Sequence, residues 1–425
     1  MYTSLIRASF AILVLSATTF VNANELSQEE KLGKSIFFDN NLSINQNQSC
    51  AACHGPDVGW TGPDPAINAA GTVYEGSIAG RFGDRKPPSA AYATQSPIFH
   101  IDKKGLFVGG NFWDGRATGE VLGNPAADQA MGPFLNTVEQ ALPDSACVVH
   151  RVCNPVVPGD YPVDFEEVWG DEACDIAWPL DVVTACSTEG ATLALSDEDR
   201  AKSDMAYGNI ALSIATYEAS PEVNAFSSKY DLTYTGKVKL TKQERRGFAL
   251  FRGKGMCHRC HISNDTEALF TDYTFDNLGT PKNPDNPVYD NHPDFVDSGL
   301  GGFLKNAGYP EDVYMAEWGK QKVPTLRNVD LRPAEDFVKA YGHNGYFKSL
   351  EGIVHFYNTR DVKPSCESLG IFDATEEDAL ANDCWPEPEV TDNVNTEELG
   401  NLGLTPEEEA AIVAFMKALS DGYQP

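Results

Sequence analysis

Two pentapeptides constrain the fold of this chain more than any other feature. The segments at 50–54 and 257–261 both read Cys-x-x-Cys-His. This spacing lets two thiols bond to the two vinyl groups of one porphyrin, while the adjacent imidazole ligates its iron. A Cys-x-x-Cys pair alone would also suit zinc or a redox disulfide. Two copies, each followed by histidine, indicate two covalently bound haem c groups. The residues expected to bind them are Cys50, Cys53, His54, Cys257, Cys260 and His261.

The first residues have the pattern of a secretory signal. Arg7 supplies a positive charge, residues 10–15 an apolar run, and residues 21–23 a small-residue cleavage site. We therefore expect residues 1–23 to be a signal peptide and the mature protein to be periplasmic. The apolar run is too short to span a bilayer, so we do not expect an integral membrane protein.

Six cysteines remain outside the two motifs. In an oxidising compartment they predict three disulfides. Cysteine spacing alone leaves several connectivities open. Pairing of nearest neighbours predicts Cys147–Cys153, Cys174–Cys186 and Cys366–Cys384.

The charge balance is strongly acidic. The chain has 32 Lys and Arg against 62 Asp and Glu, a net charge of −30. Nucleic acid requires basic patches, so this balance argues against it as a partner. An acidic surface favours a basic partner such as a small cytochrome, although solubility alone would also explain it.

An internal repeat indicates the architecture. The segments 26–37 and 240–251 precede the two motifs, and each opens with Ser or Thr three residues before Glu, the capping box of a helix start. Leu, Gly and Phe recur at matching positions, which predicts two amphipathic helices whose glycine permits a close helix crossing. Residues 203–219, with Met205 among the apolar positions, and residues 406–419 predict a closing helix for each unit.

These patterns predict a mainly α fold with two cytochrome c-type domains, each binding one covalent c-type haem. The domains are expected at 24–231 and 232–425, joined near 230–239. Disulfide-stapled insertions are expected at about 144–189 and 363–395, and long loops rich in Gly and Pro would wrap the cofactors.

Five further motifs carry a family resemblance. They read Asn-Phe-Trp-Asp-Gly-Arg-Ala at 111–117, Gln-Ala-Met-Gly-Pro-Phe-Leu-Asn-Thr-Val-Glu at 129–139, Val-Pro-Thr-Leu-Arg-Asn at 323–328, His-Asn-Gly at 343–345 and Ser-Leu-Glu at 349–351. With both Cys-x-x-Cys-His motifs, they make the chain resemble the bacterial dihaem cytochrome c peroxidase family, which includes the MauG-type enzymes. The resemblance spans about residues 26–419.

The resemblance implies a role for each haem. The first would react with hydrogen peroxide and the second would pass electrons. Glu139 would be the acid–base group of the peroxide site, with Gln129 and Pro133 lining the same pocket, and Trp113 would bridge the two haems. The residue types alone would allow Glu139 to be a solvated surface group and Trp113 to be core packing.

Two departures from the peroxidases distinguish this chain. The loop 81–89 lacks the histidine that blocks the first iron in many of them, so we expect that iron to be open without reductive activation. His100 is expected to be structural. Tyr357 stands where the peroxidases place a methionine ligand of the second haem, as in MauG-type enzymes, and a phenolate stabilises oxidised iron. His355 is the alternative ligand.

The resemblance leaves two features open. MauG has a surface tryptophan two residues before its second haem motif, and here that position is Gly255; Trp318 or Trp169 could substitute. The family's interdomain calcium ion would be bound by backbone carbonyls near Val338 and Ala340.

In the family, an asparagine after the Pro-Ser segment would be a further ligand of this calcium, but no such asparagine is evident here. The positions there read Tyr92 and Thr94.

The main hypothesis is a periplasmic dihaem peroxidase that reduces hydrogen peroxide. Its electrons would come from a small redox protein, a cytochrome c or a cupredoxin, or from another protein donor. The alternative is MauG-like, peroxide-dependent oxidation of side chains in a partner protein. A non-catalytic dihaem electron carrier is a second alternative, and a peroxide sensor a third.

Overall fold

The computed structural model describes residues 25–154, 161–263 and 266–425. The predicted signal peptide lies outside these residues. Among the helices of the described ranges, none combines the length and apolar character needed to cross a bilayer.

The described residues are mainly helical, as predicted, with long connecting loops. The helices are α1 Gln28–Phe37, α2 Pro65–Ala69, α3 Pro125–Leu135, α4 Ser145–Cys153, α5 Tyr161–Trp169, α6 Val182–Ala185, α7 Asp197–Ala219, α8 Lys229–Tyr234, α9 Lys242–Arg252, α10 Val288–Asn291, α11 Gly299–Asn306, α12 Glu311–Ala316, α13 Leu350–Thr359, α14 Glu376–Ala381 and α15 Pro406–Lys417. Two antiparallel two-stranded ribbons pair β1 His100–Ile101 with β2 Phe107–Val108 and β3 Phe275–Asp276 with β4 Gln321–Lys322.

The internal repeat is confirmed as a repeated helix crossing. α1 and α9 both begin with the predicted capping box, α1 packs against α7, and α9 packs against α15. A Cβ on Gly33 would lie 1.9 Å from the Ser213 carbonyl oxygen, and one on Gly247 would lie 1.8 Å from the Ala411 carbonyl oxygen. Only glycine allows the helix axes to approach this closely. The closing helix α7 is longer than predicted, and Met205 is 70 % exposed rather than buried, because it lies on the solvent face of α7.

Two hydrophobic cores follow from this repeat. The first contains buried residues between Leu32 and Val223, and the second contains residues between Tyr230 and Leu419. A smaller cluster of Phe and Leu side chains joins the first ribbon to β3 and α11. The domain limits stay a prediction, although Tyr230, assigned to the first domain, is buried in the second core.

The disulfide prediction was right for Cys366–Cys384 and wrong for the other two pairs. The structure has Cys147–Cys186 and Cys153–Cys174. Cys147 and Cys153 both lie in α4, where six residues separate Cα atoms by about 9 Å, beyond the roughly 7 Å that a disulfide spans. Each therefore bonds outside its helix.

The helix α4 lies within the predicted disulfide-stapled insertion and belongs to the first hydrophobic core. Its side chains Val148, Val149 and Val152 are fully buried, and the helix packs against α7. The two disulfides thus tie the segment 174–186 to a core helix.

Candidate active site

Each Cys-x-x-Cys-His motif lies in the wall of its own cavity. The first cavity, next to His54, has a volume of about 240 Å³, and the second, next to His261, about 210 Å³. Both motifs adopt the same short 3₁₀ turn. The His54 amide donates to the Cys50 carbonyl at 3.0 Å, and the His261 amide donates to the Cys257 carbonyl at 2.8 Å.

Both motif histidines are oriented as metal ligands. The Nδ1 atom of His54 lies 3.1 Å from the Trp60 carbonyl oxygen, and that of His261 lies 2.7 Å from the Phe270 carbonyl oxygen. A carbonyl can only accept, so each Nδ1 carries the proton and each Nε2 keeps its lone pair. Burial lowers the pKa of both imidazoles, which favours the neutral, ligating form.

The motif cysteines fit covalent haem better than zinc or a redox disulfide. The four motif thiols are free, whereas the six other cysteines are paired. Zinc would need further ligands. Within the described ranges, one group of side chains could hold a metal, formed by Cys260, Asp276 and Glu398, and it lacks Cys257 and His261. A half-buried pair of free thiols beside a cavity, followed by an imidazole, is what haem c requires.

The first cavity brings together the predicted peroxide-site residues. Gln129 and Pro133 lie four residues apart on α3, hence on one helix face, and both line the cavity with Glu139. The side-chain amide of Asn136 donates to Glu139 Oε1 at 2.7 Å. Burial raises the pKa of Glu139, while the hydrogen bond from Asn136 opposes the rise. Glu139 is therefore a half-buried carboxyl that faces the cavity and is held by a hydrogen bond.

Tyr74, Tyr273 and Lys322 also line this cavity, but its described lining offers no second histidine and no methionine as an iron ligand opposite His54. The loop residues 83–89 line the cavity, as the resemblance implies. The side-chain nitrogen of this loop that could ligate iron is Lys86 Nζ. It donates hydrogen bonds instead to Thr61 Oγ1 and to the Pro87 carbonyl, both at 3.0 Å.

Trp113 lies between the two cavities and lines both. Its indole Nε1 donates to the Lys86 carbonyl at 2.9 Å, and its own carbonyl accepts from the Lys322 amide at 2.7 Å. One hydrogen bond to the backbone therefore holds the indole, and a second holds the main chain of Trp113. Trp113 is thus packed in the core and also lies between the two cavities.

Sequence reasoning missed several charged side chains at these cavities, among them Lys86, Lys322 and Glu218. Lys86 and Lys322 line both cavities, and burial lowers the pKa of Lys86 to about 8 and of Lys322 to about 7. Glu218 on α7 lines the first cavity, and burial raises its pKa to about 8. In sequence Lys322 is adjacent to the Val-Pro-Thr motif, but nothing local signals Glu218.

The second cavity contains Tyr357 and not His355. Tyr357 lies on α13 and lines the cavity together with His261. His355 points elsewhere: its Nδ1 lies 3.0 Å from Glu409 Oε1, and its ring lies against Trp385. This geometry favours Tyr357 over His355 as the distal group.

Two methionines, Met256 and Met416, also line the second cavity. They are potential iron ligands that the sequence analysis did not consider.

The other residues weighed from the sequence lie outside the cavities. Trp318, Trp169 and the exposed His100 are not among the lining residues. At Gly255 a Cβ would already lie 3.0 Å from the Ile412 side chain. A tryptophan at that position would need the second core to rearrange.

The expected calcium ligands do not fit calcium. The Val338 carbonyl accepts from the Asn68 side chain at 3.1 Å, and the Tyr92 hydroxyl donates to Asp421 at 2.7 Å. The buried Lys339 ammonium already occupies this region, where it donates to the carbonyls of Val58, Asn328 and Leu331. We therefore derive no step through calcium.

Comparison with known proteins places this architecture in a family. Residues 27–239 match the family model of the di-haem cytochrome c peroxidases. The methylamine utilization protein MauG of Paracoccus denitrificans is 32% identical over 98% of this chain and 95% of its own. A cytochrome-c peroxidase of Denitromonas iodatirespirans is 25% identical over 92% of this chain and 80% of its own.

The crystal structure of the diheme peroxidase BthA from Burkholderia thailandensis superimposes with a TM-score of 0.71. It is 27% identical, and the match covers 93% of this chain and 87% of that one. The family model and the similar structure are both of proteins with two haems, which agrees with the two cavities, each beside a Cys-x-x-Cys-His motif. The chain belongs to the di-haem cytochrome c peroxidase family and is an oxidoreductase of the haem peroxidase class.

Proposed function

We propose that this protein reduces hydrogen peroxide in the first cavity with electrons that enter through the second. The observation that carries the proposal is that the half-buried carboxyl of Glu139 lines the same cavity as His54, whose Nδ1 is paired with the Trp60 carbonyl. The predicted signal peptide and the three disulfides support a periplasmic location.

The residues fit two bound haem c groups, one in each cavity. When bound, the haem held by Cys50, Cys53 and His54 supplies the iron that cleaves the peroxide bond. The overall reaction consumes one peroxide, two electrons and two protons and releases two waters.

Glu139 acts as the acid–base group of this reaction. It takes a proton from one peroxide oxygen and delivers it to the other, which then leaves as water. Burial raises the pKa of this carboxyl, which makes it a stronger base than an exposed carboxyl would be. The hydrogen bond from Asn136 fixes the carboxyl orientation, and Gln129 offers a neutral donor to bound peroxide.

Trp113 links the two sites. Its side chain lines both cavities and is held by a hydrogen bond to the Lys86 carbonyl. An aromatic ring in this position provides the short route for electrons from the second haem to the first. Tyr357 is the proposed distal ligand of the second iron, which it would keep oxidised until a donor binds.

MauG-like oxidation of a partner protein is the second candidate function. It is supported by the phenol of Tyr357 in the second cavity and by the 32% identity to MauG over nearly the whole chain. Against it, Gly255 lies in a buried position where a tryptophan has no room.

Turnover experiments separate these functions. Purified ferric holoprotein should change its absorption spectrum on addition of one equivalent of peroxide, and reduced cytochrome c should then be oxidised at two equivalents per peroxide. Steady oxidation supports the peroxidase. A spectral change without cytochrome oxidation supports the MauG-like function, and absence of any spectral change contradicts both.

A further inference from the structure

The segment that carries the second haem motif is basic in an otherwise acidic protein. Between residues 240 and 261 there are six Lys and Arg and one acidic residue, a local charge of +5, although the whole chain carries −30. The six cations are exposed: Lys242, Arg245, Arg246, Arg252, Lys254 and Arg259. We call these six residues the basic face.

The internal repeat shows that the fold does not require this charge. The equivalent segment 26–54, with the same helix and the same haem motif, has two basic and three acidic residues. Lys31 of α1 corresponds to Arg245 of α9, but Phe38 corresponds to Arg252. The basic face is therefore a property of the second unit alone.

Acidic neighbours neutralise only part of the basic face. Glu408 is shared by Lys254 at 2.6 Å and Arg246 at 3.7 Å, and Glu398 lies 3.6 Å from Arg259. The pKa of the neighbouring Glu407 carboxyl is lowered chiefly by its hydrogen bond from Thr405, with a smaller contribution from the charge of Arg246.

The remaining three cations of the face pair with no carboxylate of the described ranges. Lys242, Arg245 and Arg252 lie at i, i+3 and i+10 of α9, which places them along one exposed stripe. Arg245 donates to the Leu240 carbonyl, and Arg252 lies 5.6 Å from the Phe248 ring. These contacts leave the positive charges open to a partner.

The basic face adjoins the point where electrons would enter. Arg259 lies between the two cysteines of the motif, and its side chain is 61 % exposed. Cys257 and Cys260 both line the second cavity, so their bonds to a haem would place its vinyl edge directly beneath this surface. A redox protein docked here would approach the second haem at its covalently attached edge.

We propose that the physiological electron donor is a small acidic redox protein that docks on the basic face. This inference rests on the proposed function and replaces the basic partner suggested by the net charge. At physiological ionic strength the Debye length is about 8 Å, so a docked partner responds to the charges of the face and not to the distant acidic surface. Each encounter transfers one electron from the reduced donor, and two encounters supply one peroxide.

The test compares one donor in two charge states. Native mitochondrial cytochrome c is basic, and succinylation of its lysines makes it acidic. Binding to ferric holoprotein is measured by calorimetry at about 0.1 M salt, and turnover is measured with each reduced form. The acidic form should bind at least ten-fold more tightly and should have the lower KM. Tighter binding of the native form, or no detectable binding of the acidic form, would overturn the proposal.

Charge-reversal variants locate the surface. Arg245→Glu combined with Arg252→Glu should raise KM for the acidic form at least ten-fold and leave kcat and the haem absorption spectrum unchanged. The matched control is Lys31→Glu at the repeat-equivalent position, which should leave KM unchanged. Arg245→Lys with Arg252→Lys should restore tight binding. Equal effects of the α1 and α9 variants would contradict the assignment.

Further measurements distinguish failure of the docking surface from failure of the proposed function. They also distinguish a protein partner from a membrane. The spectral change that peroxide causes in donor-free holoprotein tests the proposed function, because it does not depend on docking at the basic face. Binding of the acidic cytochrome tests the basic face, because it does not depend on turnover. Vesicles containing phosphatidylglycerol test an anionic membrane as the partner. If the double variant loses vesicle binding and still binds acidic cytochrome as before, the face is a lipid site and the proposal is wrong.

Discussion

Glu139, half-buried, and Glu218, buried, are two carboxyl groups that line one cavity, but their surroundings differ. Glu139 is held by Asn136 at 2.7 Å, whereas no described residue forms a hydrogen bond to the Glu218 side chain. An acid–base catalyst needs a fixed orientation towards its substrate. We predict that Glu139→Gln lowers the rate of the peroxide reaction by about 100-fold or more, measured by stopped-flow absorption with excess peroxide.

Glu218→Gln is the matched control for this prediction. It makes the same chemical change in the same cavity and should slow the reaction less than about 5-fold, since typical acid–base catalysis contributes far more. Both variants should keep the haem absorption spectrum of the parent protein. A large effect of Glu218→Gln with little effect of Glu139→Gln would transfer the acid–base role to Glu218.

The bridging role of Trp113 predicts a selective defect. Trp113→Phe shortens the side chain that lines both cavities and removes the hydrogen bond to the Lys86 carbonyl. Peroxide should still react in the first cavity, but electrons from the second haem should arrive at least ten-fold more slowly, as followed by rapid-mixing spectroscopy. Trp318→Phe, outside both cavities, should transfer electrons at the parent rate. Equal rates for the two variants would remove Trp113 from the pathway.

Local motifs made part of the site predictable. Glu139, Gln129 and Pro133 come from one continuous segment, so their spacing was readable before their position was known. Glu218 and Met416 were missed because each reaches its cavity from a distant helix, and only the packing of that helix brings it there.

At the scale of elements, the glycines of the repeated crossing are tested most simply by adding one methyl group. Gly247→Ala would place Cβ 1.8 Å from the Ala411 carbonyl oxygen. The helices α9 and α15 must then move apart, and overpacking of this kind costs about 3 kcal/mol or more. Urea unfolding should show this loss. Gly83→Ala is the control, because its Cβ would meet nothing within 4 Å. A Gly247→Ala variant as stable as Gly83→Ala would contradict the close crossing.

The disulfides show what sequence spacing could not provide. Nearest-neighbour pairing fails at Cys147 and Cys153 because both lie in one helix, too far apart to bond. Spacing in the sequence does not show which later cysteine the fold brings to each of them. We predict that peptide mapping without reduction finds Cys147 joined to Cys186 and Cys153 joined to Cys174. Recovery of a peptide that links Cys174 to Cys186 would contradict the structure around α4.

At the scale of the whole molecule, a buried ion pair joins the two halves of the chain. Arg85 contacts Asp114 and Asp297, each at 2.6 Å. Burial opposes ionisation of Asp297, but the Arg85 charge outweighs it and lowers the pKa of that carboxyl. Asp297→Asn should cost about 3 kcal/mol of stability, as expected when one partner of a buried pair is removed.

The lowered pKa of Asp297 determines how the stability loss in Asp297→Asn depends on pH. A carboxyl whose folded pKa lies below its unfolded value of about 3.9 stabilises the fold above that value, and the contribution disappears as the pH falls through the folded pKa. The stability difference between parent and Asp297→Asn should therefore stay constant from about pH 8 to pH 5 and shrink in stronger acid. The exposed pair Arg81–Glu189 gives the control, since Glu189→Gln should leave the urea midpoint nearly unchanged. A difference that shrinks already near pH 6 would contradict the assignment.

The most direct test of the whole account counts the irons that are open to an added ligand. Ferric holoprotein should take up one equivalent of cyanide per two haems, because the described residues of the first cavity include no histidine or methionine besides His54, whereas Tyr357 would close the second iron. Tyr357→Phe should raise the uptake towards two equivalents, whereas His355→Ala should leave it at one. Titration followed by absorption and EPR spectra measures both. Uptake of no cyanide, or of two equivalents by the parent protein, would contradict the unequal pair of haem sites on which the proposed function depends.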